Sequence, residues 1–378
     1  MIYLDYAASA PISPEALAAA TPFLTDSFGN PSSVHSLGRR AALAIAAARE
    51  QCAAAIGAEP SEIYFTSGGT EGDNWAIFSA LKAGGRRIVT TAIEHAAVLN
   101  ACRAAEQSGV QVVYLRPNAD GLISPKQVEQ SLTDDTALVS VMAANNEIGT
   151  LQPIHEIGEI CRARGVLFHT DAVQAAGCVE LDMGALKADM LTISAHKIGG
   201  FKGSGLLYIR KGTPISPLII GGGQERGMRS GTENAAAIVA LGAAIERICA
   251  DIPDRCRRIS ALRDKLICGL SEIPRSRLNG SRTSRLCGNV NFSFEGVQGE
   301  SLVLNLDIAG VCASSASACA GGSGEPSHVL TALGLEERWL QAPLRLTLSD
   351  STTEDEIRQT VSVVRESVER LRRAVGFK

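Results

Sequence analysis

Through the first 250 residues, short apolar and β-branched runs alternate with longer stretches whose apolar positions recur at helical spacing. "EIYFTS" precedes "TEGDNWAIFSALKAG", "RRIVTTAIEH" precedes "AAVLNACRAAEQSG", and "TALVSVM" precedes "PIHEIGEICRARG"; "VLFHTD" and "DMLTIS" complete the series. Such runs read as strands covered on both faces, so the alternation predicts a mostly parallel central sheet with helices on both faces. The punctuation agrees. Ser13 and Pro14 open a helix as cap and first-turn proline, and Gly57, Gly109 and Gly165 close three others.

Beyond about residue 250 the rhythm changes to a long charged helix, "CRRISALRDKLICGLSEI", then "NVNFSF", a Gly/Ser-rich loop, "LRLTLS" and a final helix from Thr353. The expected fold is therefore α/β, with a large domain over residues 13–250 and a smaller α+β domain built from residues 1–12 and 251–378. No internal repeat or low-complexity tract interrupts it.

Composition narrows the function classes. A chain of 378 residues with 45% hydrophobic and 20% charged residues can bury a sizeable core unaided. Its net charge of −4 argues against broad nucleic-acid or anionic-membrane binding. The opening "MIYLDYAASAPISPE" lacks a basic segment followed by an apolar one, and the most apolar helix, "AALAIAAA", is too short to cross a bilayer. The ten cysteines include no C-x-x-C pair, which leads us to expect a reducing, cytoplasmic setting and no metal site. Cys52, Cys102, Cys161 and Cys249 fall in helical patterns and read as packing residues.

Ligands of parallel sheets bind beyond the carboxyl ends of the strands, and four strand ends here carry unusual polar residues. Ser67, Gly68, Gly69 and Thr70 stand where a strand gives way to a helix, whose free N–H groups suit a phosphate. His95 ends "TTAIEH", a position that a structural histidine also fills. Asp171 ends "VLFHTD", as a helix cap or as the partner of a buried cation. Ser194, His196 and Lys197 end "MLTIS", with Lys202 close behind. A P-loop is excluded, because Lys202 is followed by Gly203 and a strand-like run rather than by a hydroxyl residue and a helix. A lysine, an aspartate beyond a neighbouring strand, a histidine and a phosphate cradle together are what pyridoxal 5'-phosphate requires: an amine to bond its aldehyde, a carboxylate to keep its ring nitrogen protonated, and donors for its phosphate.

The ordered segments "YLDYAASAP", "FGNPSSVHSLGR", "FTSGGTEGDN", "ANNEIGTLQPI", "HTDAVQAAG", "SAHKIGGFKGSG", "GGGQERGMRSGTEN", "SSASACAGGSGEPSHVL" and "LRLTLSDSTTEDEI" resemble the NifS/IscS-type cysteine desulfurases, essentially end to end. The resemblance implies a type I pyridoxal-phosphate fold, a homodimer, and conversion of L-cysteine to L-alanine with the sulfur kept as a persulfide for an acceptor protein, such as an iron–sulfur scaffold or a tRNA-thiolation protein. A class V aminotransferase or a selenocysteine lyase is the alternative within the same fold.

By the same resemblance Lys197 is the Schiff-base lysine, Asp171 the partner of the ring nitrogen, His95 a catalytic residue stacked on the ring that also shuttles protons, and Gln174 the partner of its phenolic oxygen. Thr70, Ser194 and His196 would bind the phosphate, and Thr232 the phosphate of the partner subunit. Asn146 and Arg345 would hold the substrate carboxylate. Cys319, a thiol among small and polar residues, takes the place of the nucleophile; Cys312 is expected on the strand leading to it. Ala316 stands where the family commonly has glycine, and Phe201 where proline is common. Asn30 and His35 read as a turn and a helix start, Arg229 and Glu225 as loop-shaping residues.

Overall fold

The computed structural model describes residues 1–82, 85–315 and 326–377. Twelve strands are present among them: β1 (Ile2–Tyr3), β2 (Ile63–Thr66), β3 (Arg87–Thr91), β4 (Gln111–Leu115), β5 (Thr136–Ser140), β6 (Leu167–Asp171), β7 (Met190–Ser194), β8 (Gly205–Ile209), β9 (Ser276–Leu278), β10 (Asn289–Phe294), β11 (Val311–Cys312) and β12 (Pro343–Thr347). Seven form the central sheet in the order β2-β8-β7-β6-β5-β3-β4. Only β8 runs against the rest, pairing antiparallel with both β2 and β7. Every residue of β7 and β8 is buried, which explains runs with almost no polar alternation.

The helices that flank this sheet begin and end where sequence chemistry sets them. Ser13 caps the Pro14–Leu24 helix through its side-chain oxygen, and Pro14 takes the first turn, where its missing N–H costs nothing. Gly165 closes the Ile154–Arg164 helix at φ 67°, a left-handed conformation that suits glycine. His35 caps the Ser36–Ala55 helix through Nδ1, and Asn30 Oδ1 accepts from Ser32 N, so both residues have the turn and cap roles expected of them.

The largest hydrophobic cluster packs helices against the central sheet, from Ala16 to Leu286, and the next largest joins Ile2 and Leu4 to residues between Ile259 and Val368. Around it lie the antiparallel sheet β12-β10-β9 and the parallel pair β1-β11. The long Ile252–Ser271 and Glu354–Ala374 helices pack against this unit, the latter opened by a Thr353–Glu356 capping box. The chain's first residues thus bridge the two clusters: Leu4 O accepts from Thr347 N at 2.7 Å, and Ala10 N donates to His196 O at 2.9 Å.

Candidate active site

A cavity of about 420 Å³ opens where the carboxyl ends of β2, β3, β6 and β7 meet the start of the chain and β12. Thr70, His95, Asn146, Asp171, Gln174, Ser194, His196, Lys197 and Arg345 all line it. Strand order accounts for this convergence, since β6 and β7 are neighbours and end in register, Asp171 beside Thr192. Lys197 follows β7 in a short 3-10 turn, Ala195–Lys197. Its Nζ donates to the carbonyls of Ala7 at 2.7 Å and Ala8 at 2.9 Å. Gln174 Nε2 donates to the same Ala7 carbonyl at 3.1 Å, so the N-terminal segment fixes both side chains. Lys202 is exposed and does not line the cavity, whereas Lys197 does.

His95 is half-buried and caps the Ala96–Gln107 helix, its Nδ1 accepting from Ala97 N at 3.2 Å. That bond requires an unprotonated Nδ1 and leaves Nε2 for another partner. At the opposite wall Thr70 opens the Gly69–Lys82 helix. Gly68 has φ 147°, and a Cβ on Gly69 would lie 2.9 Å from Val173 Cγ2. The glycines therefore allow this helix start to stand directly against the residues after β6. With Ser194 and His196 across the gap, free N–H groups and side-chain donors face the cavity, a donor set matched to a phosphate dianion.

Electrostatics single out one carboxylate. Burial raises the pKa of Asp171, with the Val173 N–H, His95 and Lys197 acting in the opposite direction; Asp171 Oδ1 accepts from Val173 N at 2.8 Å. Asp73, 1% exposed, is pushed well above the usual carboxylate range by burial and then by the charge of Asp171, with only a hydrogen bond from Thr192 opposing. Glu94 is pushed up to about 8 by burial, against hydrogen bonds from Met142 N and Thr91 Oγ1. Three buried carboxyls cannot all ionise together. Glu94 keeps its proton at neutral pH; burial pushes Asp73 and Asp171 up as well, and of the three only Asp171 has His95 and Lys197 acting to lower it.

Behind them His169 is held neutral, its pKa lowered to about 3 by burial. It bridges Ser140 Oγ and Thr192 Oγ1, each at 2.9 Å. These buried groups were not found from the sequence. "TEGDN" gives no sign of burial in sequence, yet Asp73 is buried and Glu71, its side chain 9% exposed, pairs with Arg229 at 2.9 Å. The available signal was Gly72, whose Cβ would lie 2.8 Å from Thr192 Cγ2 and whose absence lets this helix face press against β7.

Arg345 on β12 is 4% exposed. Its Nη1 donates to Asn146 O at 3.0 Å and its Nη2 to Asp5 Oδ1 at 2.9 Å, while the buried Nε–H has no partner among the described residues. A buried guanidinium with donors still facing a cavity is suited to a carboxylate, which it grips through two parallel bonds.

Cys319 and Ala316 lie outside the described residues, but both flanks of that stretch are tied to the cavity. Ser314 lines it and exchanges backbone bonds with Arg345 at 2.8 and 3.2 Å. Ser327 donates to the buried Glu147 Oε2 at 2.5 Å, and His328 Nε2 contacts Glu94 O at 3.0 Å. Cys312 is on β11, leading in, as expected. Thr232 is exposed and outside the cavity of its own chain. Glu225 takes a bidentate bond from Arg49 at 2.6 and 2.8 Å. With Arg229 it holds the 221–234 loop in shape. Phe201 packs against the large cluster.

The titration of Glu94 has a measurable consequence. Its folded pKa of about 8 lies above the ordinary 4.5, so the folded chain holds a proton that the unfolded chain has lost between those values. That contribution to stability is complete below pH 4.5 and is lost as pH rises through 8, at up to about 1.4 kcal/mol per pH unit. Glu94→Gln removes it. Urea titrations at pH 5, 6.5 and 8 should show the variant gaining on the parent as pH rises; parallel curves would contradict a buried, protonated Glu94.

The aminotransferase class-V family profile matches residues 2–360. The cysteine desulfurase IscS of Methanosarcina thermophila is 48% identical over 98% of this chain and 93% of its own length. A cysteine desulfurase of Trichormus azollae is 49% identical over the whole chain and 95% of its own. Among solved structures, a NifS-like protein superposes with a TM-score of 0.91 at 35% identity, covering 97% of this chain and 98% of the other. A structure described as SspA in complex with cysteine gives 0.83 at 38%, covering 93% and 100%. With the lysine, aspartate and phosphate-type cradle already in one cavity, these matches lead to one conclusion: the chain belongs to the class-V aminotransferase family, in its branch of NifS- and IscS-type cysteine desulfurases.

Proposed function

We propose that this protein is a pyridoxal-phosphate-dependent cysteine desulfurase, converting L-cysteine to L-alanine and passing the sulfur through Cys319 to an acceptor protein. The observation that carries the cofactor reading is the cavity itself, where Lys197, Asp171 and the Gly69–Thr70 helix start face one another. Pyridoxal phosphate, when bound, supplies an electron sink that makes bonds at the substrate's α- and β-carbons breakable.

The chain's residues supply the rest. Thr70, Ser194 and His196 hold phosphate oxygens; burial and then the charges of Lys197 and Lys202 lower His196 to about 4, so at neutral pH it acts as a neutral hydrogen-bonding group. With the cofactor bound, Asp171 would keep the ring nitrogen protonated, Gln174 would donate to the ring oxygen, and His95 would cover the ring face. Lys197 would move protons at Nζ. Asn146 and Arg345 orient the substrate carboxylate, and Cys319 Sγ attacks the substrate sulfur. In that step the new S–S bond forms as the carbon–sulfur bond breaks, the carbon skeleton leaving as alanine after protonation.

Arg345→Lys tests the orientation role. A point charge cannot reproduce the two-pronged grip, so KM for cysteine should rise about 10- to 100-fold with a smaller fall in kcat; an unchanged KM would remove Arg345 from substrate binding. Persulfide formation is tested by a single exposure to L-cysteine without reductant. One cyanide-reactive sulfur per chain is expected, and none would refute a covalent sulfur carrier.

A homodimer with Thr232 reaching the second copy's phosphate site completes the proposal. Thr232 is exposed beside an apolar stretch that includes Ile220, 88% exposed, and Ile219, whose carbonyl accepts from Ser230 N at 3.2 Å. An exposed apolar stretch of this kind suits an interface. We place the protein in the cytoplasm; among the described residues no helix is long and apolar enough to cross a membrane.

A further inference from the structure

Next to the active-site cavity lies a second one of about 300 Å³, lined by Cys178, Cys287, Arg255 and Arg247 and sharing Val173, Gln174 and Lys197 with the first. Cys178 follows Gly177 in the connection after β6 and packs against both hydrophobic clusters, whereas Cys287 belongs to the second cluster alone. Cys256, on the Ile252–Ser271 helix, stands beside them with Sγ 3.3 Å from the Cys178 carbonyl. Cys287 acts on the titration of both Cys178 and Cys256, which places the three thiols in one group. Arg255 acts electrostatically on all three, and its buried Nε–H has no partner among the described residues.

This grouping has no task in the desulfuration scheme. Simple packing explains the helical cysteines Cys52, Cys102 and Cys161, each pushed up to about 12, chiefly by burial. Cys178 differs: the bond from Cys287 lowers its pKa against the effect of burial, and Arg255 adds to the lowering. Thiolate, not thiol, attacks a peroxide, and a second thiol within reach resolves the product.

We propose that Cys178 and Cys287 are a peroxide-oxidisable pair that closes a disulfide across the seam between the two hydrophobic clusters. Cys178 thiolate attacks the terminal oxygen of a small hydroperoxide, breaking the O–O bond and giving a sulfenic acid and the corresponding alcohol or water. Cys287 then displaces the sulfenic oxygen as water. Two thiols lose two electrons, the peroxide gains them, and Arg255 favours the attacking anion. The bridge would fasten the connection carrying Gln174 to the segment entering β10.

The inference stands apart from the desulfurase reading, because its readout is the state of two thiols and not turnover. The holoenzyme is treated with hydrogen peroxide, alkylated, and mapped by mass spectrometry without reductant. A linked peptide pair containing Cys178 and Cys287 is expected, about 2 Da lighter than the two reduced peptides and separated by dithiothreitol. In Cys287→Ser, Cys178 should stop at a sulfenic acid that dimedone captures. If that variant does not fold, the map of the parent protein decides alone. Cys178 still alkylatable at a peroxide dose that oxidises the exposed Cys268, or Cys178 joined to a different cysteine, would overturn the proposal.

Discussion

Cys319→Ala should bind pyridoxal phosphate and keep its visible absorbance while losing sulfide release from L-cysteine by at least about a hundredfold. The expectation follows from the division of labour in the cavity. The groups of this chain's own cavity proposed to hold the cofactor lie among residues anchored by strand ends or the N-terminal segment, so removing one thiol from the stretch between Ser315 and Pro326 leaves that set intact. No thiol among the described residues lines the cavity. A variant that releases sulfide at the parental rate would remove Cys319 from the mechanism, whereas one that also loses the cofactor would show that the thiol matters for structure. The thiol's placement favours chemistry over packing: its neighbours are alanine, serine and glycine, which offer no apolar contact to bury it.

Lys197→Ala has the larger effect, because the residue serves twice. Loss of its amine removes the covalent hold on the cofactor, and loss of proton transfer at Nζ alone costs roughly 10²–10⁴ in rate. The variant should release its cofactor on dialysis. Borohydride, which fixes the cofactor to the parent protein, should leave no modified peptide, and turnover should be undetectable. A cofactor adduct surviving on another lysine would return Lys202 to consideration, despite its exposure and its position outside the cavity.

Much of this site was legible in the sequence because parallel strands write their ends plainly. "VLFHTD" and "MLTIS" are short, mostly buried strands, and each ends on a chemical residue: Asp171 in one, Ser194 followed by the Lys197 turn in the other. Adjacent, parallel β6 and β7 then bring the two together without any long-range inference. The direction of β8 was not legible, since "GLLYIR" has the same apolar pattern whichever way it pairs. Pairing of Gly205 with both Thr66 and Ser194 decides it.

The buried acids were hidden for a related reason. A carboxylate at the start of a helix or just before one is ordinarily solvated, and only tertiary packing reveals that Asp73 and Glu94 are buried close enough to Asp171 to feel its charge. Arg345 was located by resemblance, but its grip on Asp5 and on the Asn146 carbonyl depends on β12 approaching the chain's first residues, a contact between positions 340 apart in sequence.

The most direct test incubates the purified yellow protein with L-cysteine and dithiothreitol and quantifies alanine and sulfide together. Desulfuration predicts equal amounts of the two, rising in step over many turnovers. A cofactor spectrum that shifts on adding cysteine with neither alanine nor sulfide formed would mean binding without sulfur transfer, contradicting the proposed function and favouring an aminotransferase.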